Sequence, residues 1–275
     1  MAIAHHIMLR LVDSRVIAPT EPARCVLARS ILGVGRDLGL LAFRGSDIHV
    51  HVEAVCSRRA AGELARRAEL SLGRRLALPV SFERARIKAV GDQRHLANLF
   101  DYLMRQEDRH GTALDPDFTA SSLPDLLGMR VLGGYTMDRV CQHLPRVRRP
   151  QLLSYLGVCD LDAAPLSLDH LADAAAAAFG LLDLGSNRRE AVRARRAAAQ
   201  AALSLGTAEA VAAKLGVKVR AIHRLRTQPV APAAVAAVKL QLRRRSARAG
   251  LVDTAPAAAA EGCPPTLPSP CHVAL

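Results

Sequence analysis

Two short stretches of this chain hold residue types that could act together on a phosphate. The first is Ser46-Asp-Ile-His49-Val50-His51-Val-Glu53, two histidines around a valine in an alternating segment. The second is Tyr102-Leu-Met-Arg-Gln106. On a strand, residues two apart share a face, so His49 and His51 present adjacent imidazoles and Glu53 continues the row. Neutral imidazoles are good ligands for a divalent cation, and two of them leave positions open for phosphate oxygens and water. On a helix, Tyr102 and Gln106 lie one turn apart on one face. The amide oxygen can then complete the metal site while the phenol reaches the same phosphate.

The chemistry follows from charge. A phosphodiester resists nucleophiles because it is anionic, and Mg2+ or Mn2+ held by His49, His51 and Gln106 would polarise it for in-line attack. A free phenol ionises near pH ~10, so Tyr102 needs help to lose its proton. Attack leaves a 5′-phosphotyrosine and a free 3′-hydroxyl. The ester conserves the bond energy, so a later 3′-hydroxyl can reverse the step on another strand without ATP. Either half alone is a weak signal: a histidine pair on a strand and a tyrosine at a core edge are both ordinary. Their combination carries the reading, in a chain with only Tyr102, Tyr135 and Tyr155 as tyrosines.

The elements that must position these residues are legible in the periodicity. Residues 3–12 alternate as a strand, and Glu21-Pro22 opens a helix to about Leu38. Residues 40–45 and 47–55 read as two strands around the turn Gly45-Ser46-Asp47. Arg58 to Leu76 has helical spacing, with Leu64, Leu70 and Leu72 inward and arginines outward. Residues 83–90 form a strand with a basic face that includes Arg84, Arg86 and Lys88. Asp92 caps a helix with Leu96, Leu99, Phe100, Leu103 and Met104 on its apolar side. The order βαββαβα implies an α+β fold, an antiparallel sheet with helices packed on it in a ferredoxin-like or split-βαβ layout.

Beyond this first domain (residues 1–130), residues 131–166 read as a helical linker and 167–248 as an all-helical region. Within the latter, 206–226 has the spacing of a helix-turn-helix. Ala208, Val211, Ala212 and Leu215 form one helix face, Gly216 the turn, and Val217, Ile222 and Leu225 the second face. Arg220, His223, Arg224 and Arg226 project from the second helix. The Ala/Pro-rich tail, 249–275, reads as disordered.

Composition agrees with a polyanionic partner. The 275 residues carry 38 Lys+Arg against 25 Asp+Glu, a formal net charge of +13. The six cysteines (Cys25, Cys56, Cys141, Cys159, Cys263 and Cys271) have neither C-x-x-C nor zinc spacing, and reduced thiols are the simple reading. The longest apolar stretch, Ala172 to Leu182, is interrupted by Asp173 and too short to span a bilayer. The N-terminus has no signal-peptide run, so the expectation is a cytoplasmic, nucleoid-associated protein without a membrane partner.

These residues together resemble the single-tyrosine HUH transposases, in particular the REP-associated tyrosine transposases and their insertion-sequence relatives. The likeness spans roughly residues 3–130. It includes His5-His6-Ile-Met-x-Arg10, the His49-Val50-His51 strand, Arg84-Ala-Arg86-Ile-Lys88, the helix ending Tyr102-Leu-Met-Arg-Gln106, then Arg109-His-Gly111 and Ser121-Ser-Leu-Pro-Asp-Leu-Leu-Gly128. By that resemblance His49, His51 and Gln106 correspond to metal ligands and Tyr102 to the nucleophile. The implied substrate is single-stranded DNA flanking imperfect hairpins, with Arg84, Arg86 and Lys88 on its backbone. A helix-turn-helix would add duplex contacts through Arg220 and Arg224. A homodimer is compatible with this reading, and so is catalysis in cis. Ile48 and Val50 replace the aromatic residues often found around the second histidine, and tryptophan is absent. Base stacking is therefore thin, and arginine contacts to phosphates carry more of the recognition. The alternative is a domesticated DNA-binding or regulatory protein that keeps a relict transposase fold.

Overall fold

The computed structural model describes residues 2–46, 48–106, 118–155 and 161–253. Asp47, the Arg109-His-Gly111 segment, Cys159 and the tail from residue 254 lie outside the described residues.

The expected βαββαβα order is observed. It runs β1 (Ala4–Arg10), α1 (Glu21–Gly35), β2 (Leu40–Gly45), β3 (His49–Ala54), α2 (Arg58–Arg75), β4 (Arg86–Val90) and α3 (Gln93–Met104). The four strands form one antiparallel sheet in the order β2-β3-β1-β4. Helices α1, α2 and α3 each start on a residue suited to hold the unpaired backbone N–H groups. Thr20, Ser57 and Asp92 accept bonds from the N–H groups of Ala23, Ala60 and His95. Gly39, at φ +78°, lets the chain turn into β2: a Cβ there would lie 2.3 Å from the Val55 carbonyl oxygen.

The two faces of the sheet differ in chemistry. Ile7, Leu9, Val50, Val52 and Ala54 face α1 and α2 and share a core with Leu27, Ile31, Leu64 and Leu72. Leu70, expected inward, is 57 % exposed. The buried positions of α2 are Ala61, Leu64, Ala65, Ala68 and Leu72, and Leu70 falls off that stripe. On the other face α3 buries Leu96, Leu99, Phe100, Leu103 and Met104 against Ala4, Ala42 and Val90.

The described residues between 131 and 166, expected as a helical linker, contribute side chains to that second layer. Among the described residues, α4 (Leu123–Leu126), α5 (Gly134–His143) and α6 (Arg149–Ser154) come next after α3. Leu123, Leu126, Val140, Leu152, Tyr155 and Leu161 join the core beneath α3. The Ser121–Gly128 motif does structural work here. Ser121 bridges to Arg44, the Gly45 N–H donates to the Ala120 carbonyl (2.7 Å), and the Ser122 N–H donates to the Phe43 carbonyl (3.0 Å). The free edge of β2 is thus covered. Asp125 and Arg130 form a buried ion pair at 2.5 Å. The same guanidinium donates to the carbonyls of Thr119 and Ser121, and Asp125 accepts the Gly133 N–H.

The C-terminal region is an alanine-rich bundle of α7 (Leu171–Ala178), α8 (Arg189–Ala201), α9 (Ala208–Leu215), α10 (Val219–Thr227) and α11 (Pro232–Asp253). Helices α9 and α10 meet at Gly216, left-handed at φ 63°, where the sequence placed a turn. Ile222 and Leu225 are buried while Arg220, His223 and Arg224 are exposed. Helix α11 continues to Asp253, past the expected tail boundary at 249, because nothing stronger than Gly250 interrupts a helix-forming run. It is fastened to the first domain by the Gln241 amide, which donates to the Met129 carbonyl at 3.1 Å.

Candidate active site

The antiparallel registers determine which side chains share the second face of the sheet. His49, His51 and Glu53 of β3 stand opposite Arg10, Met8 and His6 of β1. Met8 and His6 in turn stand opposite Arg86 and Lys88 of β4, and Arg44 of β2 stands opposite His51. Directly paired residues in an antiparallel ladder point to the same face. One surface therefore gathers three histidines, a carboxylate and several basic groups, with α3 packed over one part of it.

The expected histidine pair is adjacent, with His49 and His51 ring centroids 5.7 Å apart. Tyr102 reaches the same place. Its ring meets the His51 ring edge-on, centroid to centroid 5.9 Å. Gln106 lies two residues past the end of α3, after the cap residue Arg105, and is buried. Its Oε1 has no hydrogen-bond partner, an acceptor withdrawn from water and awaiting a donor or a cation. Arg84 is exposed just before β4, and Arg86 and Lys88 are exposed on it.

Four further residues shape the site. His6 is the most direct: its Nε2 lies 3.0 Å from Nδ1 of His51. Spacing alone could not choose between His5 and His6, which point to opposite faces; His5 Nδ1 instead bonds the Cys56 carbonyl behind the sheet. Glu53 is fully buried with both carboxylate oxygens unpartnered, and burial pushes its carboxyl well above the usual carboxylate range. Arg44 is buried and donates to the Met104 carbonyl at 3.3 Å, placing a cation at the C-terminus of α3. Behind that helix the Tyr155 hydroxyl donates to Asp101 (2.8 Å), which also pairs with Arg105 (3.2 Å). The end of α3, and Tyr102 with it, is clamped on two sides.

His6 and His49 are held toward neutrality. His6 is lowered to about 4 by burial, then by Lys88 and His95. His49 is lowered by burial and by the neighbouring Arg10 and Arg86. Neutral imidazole is the form that ligates metal. Among the described residues no group of three or more His, Cys, Asp or Glu side chains is arranged to hold a metal ion. A cation here would need the mixed set of two imidazoles and the Gln106 amide oxygen, and the orphaned Oε1 fits that set.

Among the described residues, no helix is long and apolar enough to cross a membrane. No protein-family model matches the chain, and no curated protein matches it. Among solved structures, the chain is similar to a REP-associated tyrosine transposase bound to a REP hairpin, at 16% identity over 44% of this chain and 78% of that one, with a TM-score of 0.38. A likeness at that score assigns no family.

Proposed function

We propose that this protein is a metal-dependent HUH-type DNA strand transferase, a transposase that cuts single-stranded DNA through a Tyr102 phosphotyrosine. The observation that carries the reading is the edge-on contact of Tyr102 with His51, at 5.9 Å, on a face that also bears His49, Arg86 and Lys88. A nucleophile, imidazole ligands and phosphate-binding cations converge from α3, β3 and β4. The sheet order, read as ferredoxin-like, is what makes that convergence available.

In this reading His49, His51 and Gln106 hold Mg2+ or Mn2+, which when bound supplies Lewis-acid polarisation of the scissile phosphate. The chain's own residues do the rest. Arg86 and Lys88 neutralise flanking phosphates and align the strand. The Tyr102 oxygen forms a bond to phosphorus as the bond to the 3′-oxygen breaks; the phenolic proton passes to solvent, and solvent protonates the departing 3′-oxygen to the hydroxyl. The 5′-end stays on Tyr102, and a later 3′-hydroxyl takes it back by the reverse reaction, which is recombination without ATP. Helices α9 and α10, read as a helix-turn-helix with Arg220 and Arg224 outward, add duplex DNA binding.

The test is covalent capture. The protein is mixed with labelled single-stranded hairpin DNA from the flanks of its own gene, with manganese or magnesium, and run on a denaturing gel. The expected result is an adduct that requires both metal and Tyr102 and is lost in Tyr102→Phe. Tight binding with no adduct would replace this reading with that of a domesticated DNA-binding protein.

A further inference from the structure

A cavity of about 350 Å³ opens beside α8, and no residue of the sheet or of α3 lines it. It is lined by Arg189, Arg193 and Arg196 over an apolar floor that includes Phe179, Val192 and Val230. The three arginines are spaced i, i+4 and i+7 and so occupy one helical face. The opposite face of α8 is the alanine stripe Ala191, Ala194, Ala197, Ala198 and Ala201, buried in the bundle. The helix is therefore fixed in rotation, with Arg189, Arg193 and Arg196 on the cavity side.

No carboxylate lines the cavity. Glu190, the nearest acid in sequence, pairs instead with Arg29 of α1 at 3.8 Å. Arg193 rests over the Phe179 ring, 5.9 Å from its centroid, a contact that holds the guanidinium in place without neutralising it. The Arg196 Nε is buried and has no hydrogen-bond partner. Like charges on adjacent turns repel. Three of them, held together around a concavity, fit a multivalent anion, and their planar forks match phosphate oxygens.

We propose that the α8 arginine cavity is a second DNA contact, a clamp for successive phosphodiesters along one strand of duplex DNA, about one for each arginine. This rests on the reading that the protein acts on DNA. The choice of duplex backbone comes from placement. Pro229, Val230 and Ala231 of the lining follow α10 after its cap residue Gln228, and α10 carries the exposed Arg220 and Arg224. A backbone crossing α10 would meet the cavity at its end, so α8 sets the register of the duplex while α10 faces its groove.

The test is the salt dependence of binding by the full chain to a short fluorescent duplex, read by anisotropy across a potassium chloride titration. In Arg189→Gln/Arg193→Gln/Arg196→Gln the slope of log K against log salt should fall by about 2 to 3, with the thermal midpoint kept. Arg193→Gln alone should lower it by about 1. A control with the same loss of charge at the exposed Arg15, Arg36 and Arg148 should change it by less than that. A slope unchanged in the cavity variants, or an equal fall in the control, would overturn the assignment. So would inorganic phosphate that raises the parent's thermal midpoint but not the triple variant's while their DNA slopes agree, because the cavity would then take a free phosphate. Covalent capture on Tyr102 is read separately, so losing the clamp and losing the transferase reading give different results.

Discussion

Nε2 of His6 lies 3.0 Å from Nδ1 of His51, with the two rings stacked 5.2 Å apart and 19° from parallel. The direction of that hydrogen bond decides what His51 can do. If His51 accepts at Nδ1, its neutral form carries the remaining proton on Nε2 and cannot ligate through it. If His51 donates from Nδ1, the Nε2 lone pair is aimed away from His6 and can bind a cation. His6, lowered to about 4, is neutral at pH 7 and can accept at Nε2. With the bond running in that direction, His6 sets the tautomer of His51.

Removing that acceptor should weaken metal binding without touching a ligand. His6→Ala is expected to lower Mn2+ affinity by about 10- to 100-fold, the usual effect of losing a residue that orients a ligating imidazole. His6→Gln, whose carbonyl oxygen can still accept, should recover part of the loss. Calorimetric titration with Mn2+ reads both. Equal affinity in the parent and in His6→Ala would show that His51 needs no such partner.

The Asp125–Arg130 pair makes a second, structural prediction. Both side chains are buried, and together they tie the segment beside β2 to the start of α5. Asp125→Asn leaves a guanidinium buried without its counterion and should cost about 3–5 kcal/mol in urea unfolding. Asp125→Asn/Arg130→Met should cost clearly less than the two single losses added together, because the stranded charge is gone. Strict additivity would mean that the two groups are not coupled.

Much of this fold is local in origin, and that part is legible in the chain. The caps at Thr20, Ser57 and Asp92, the alternation of β3 and the apolar stripe of α3 are short-range patterns. So is the turn at Gly216. What spacing could not show depends on register between distant strands. That His6 rather than His5 meets His51 follows from the β1–β3 pairing. The burial of Arg44 depends on the chain at 118–122 covering the edge of β2, and Tyr155 reaches Asp101 only because α6 folds back under α3. Residues 131–166 read as a linker because their helices are short, and their role emerges only when their leucines complete the core beneath α3.

Glu53 offers a test by pH. Its carboxyl is fully buried, both oxygens lack partners, and burial raises it well above the usual carboxylate range. Between its unfolded value and that raised value, the folded chain holds a proton that the unfolded chain has released. Stability contributed by this group is therefore complete at low pH and falls as pH rises through that window. Glutamine cannot ionise, so Glu53→Gln should gain on the parent as pH rises. The difference in thermal midpoint, variant minus parent, should grow from about pH 4.5 toward pH 8, measured with a chelator present so that no cation occupies the neighbouring histidines. Its value at any single pH also includes the cost of burying the new amide N–H groups, so the trend is the diagnostic quantity. A difference that stays flat across the range would mean that Glu53 ionises alike in the folded and unfolded chain, and that its carboxylate reaches water or a counterion in solution.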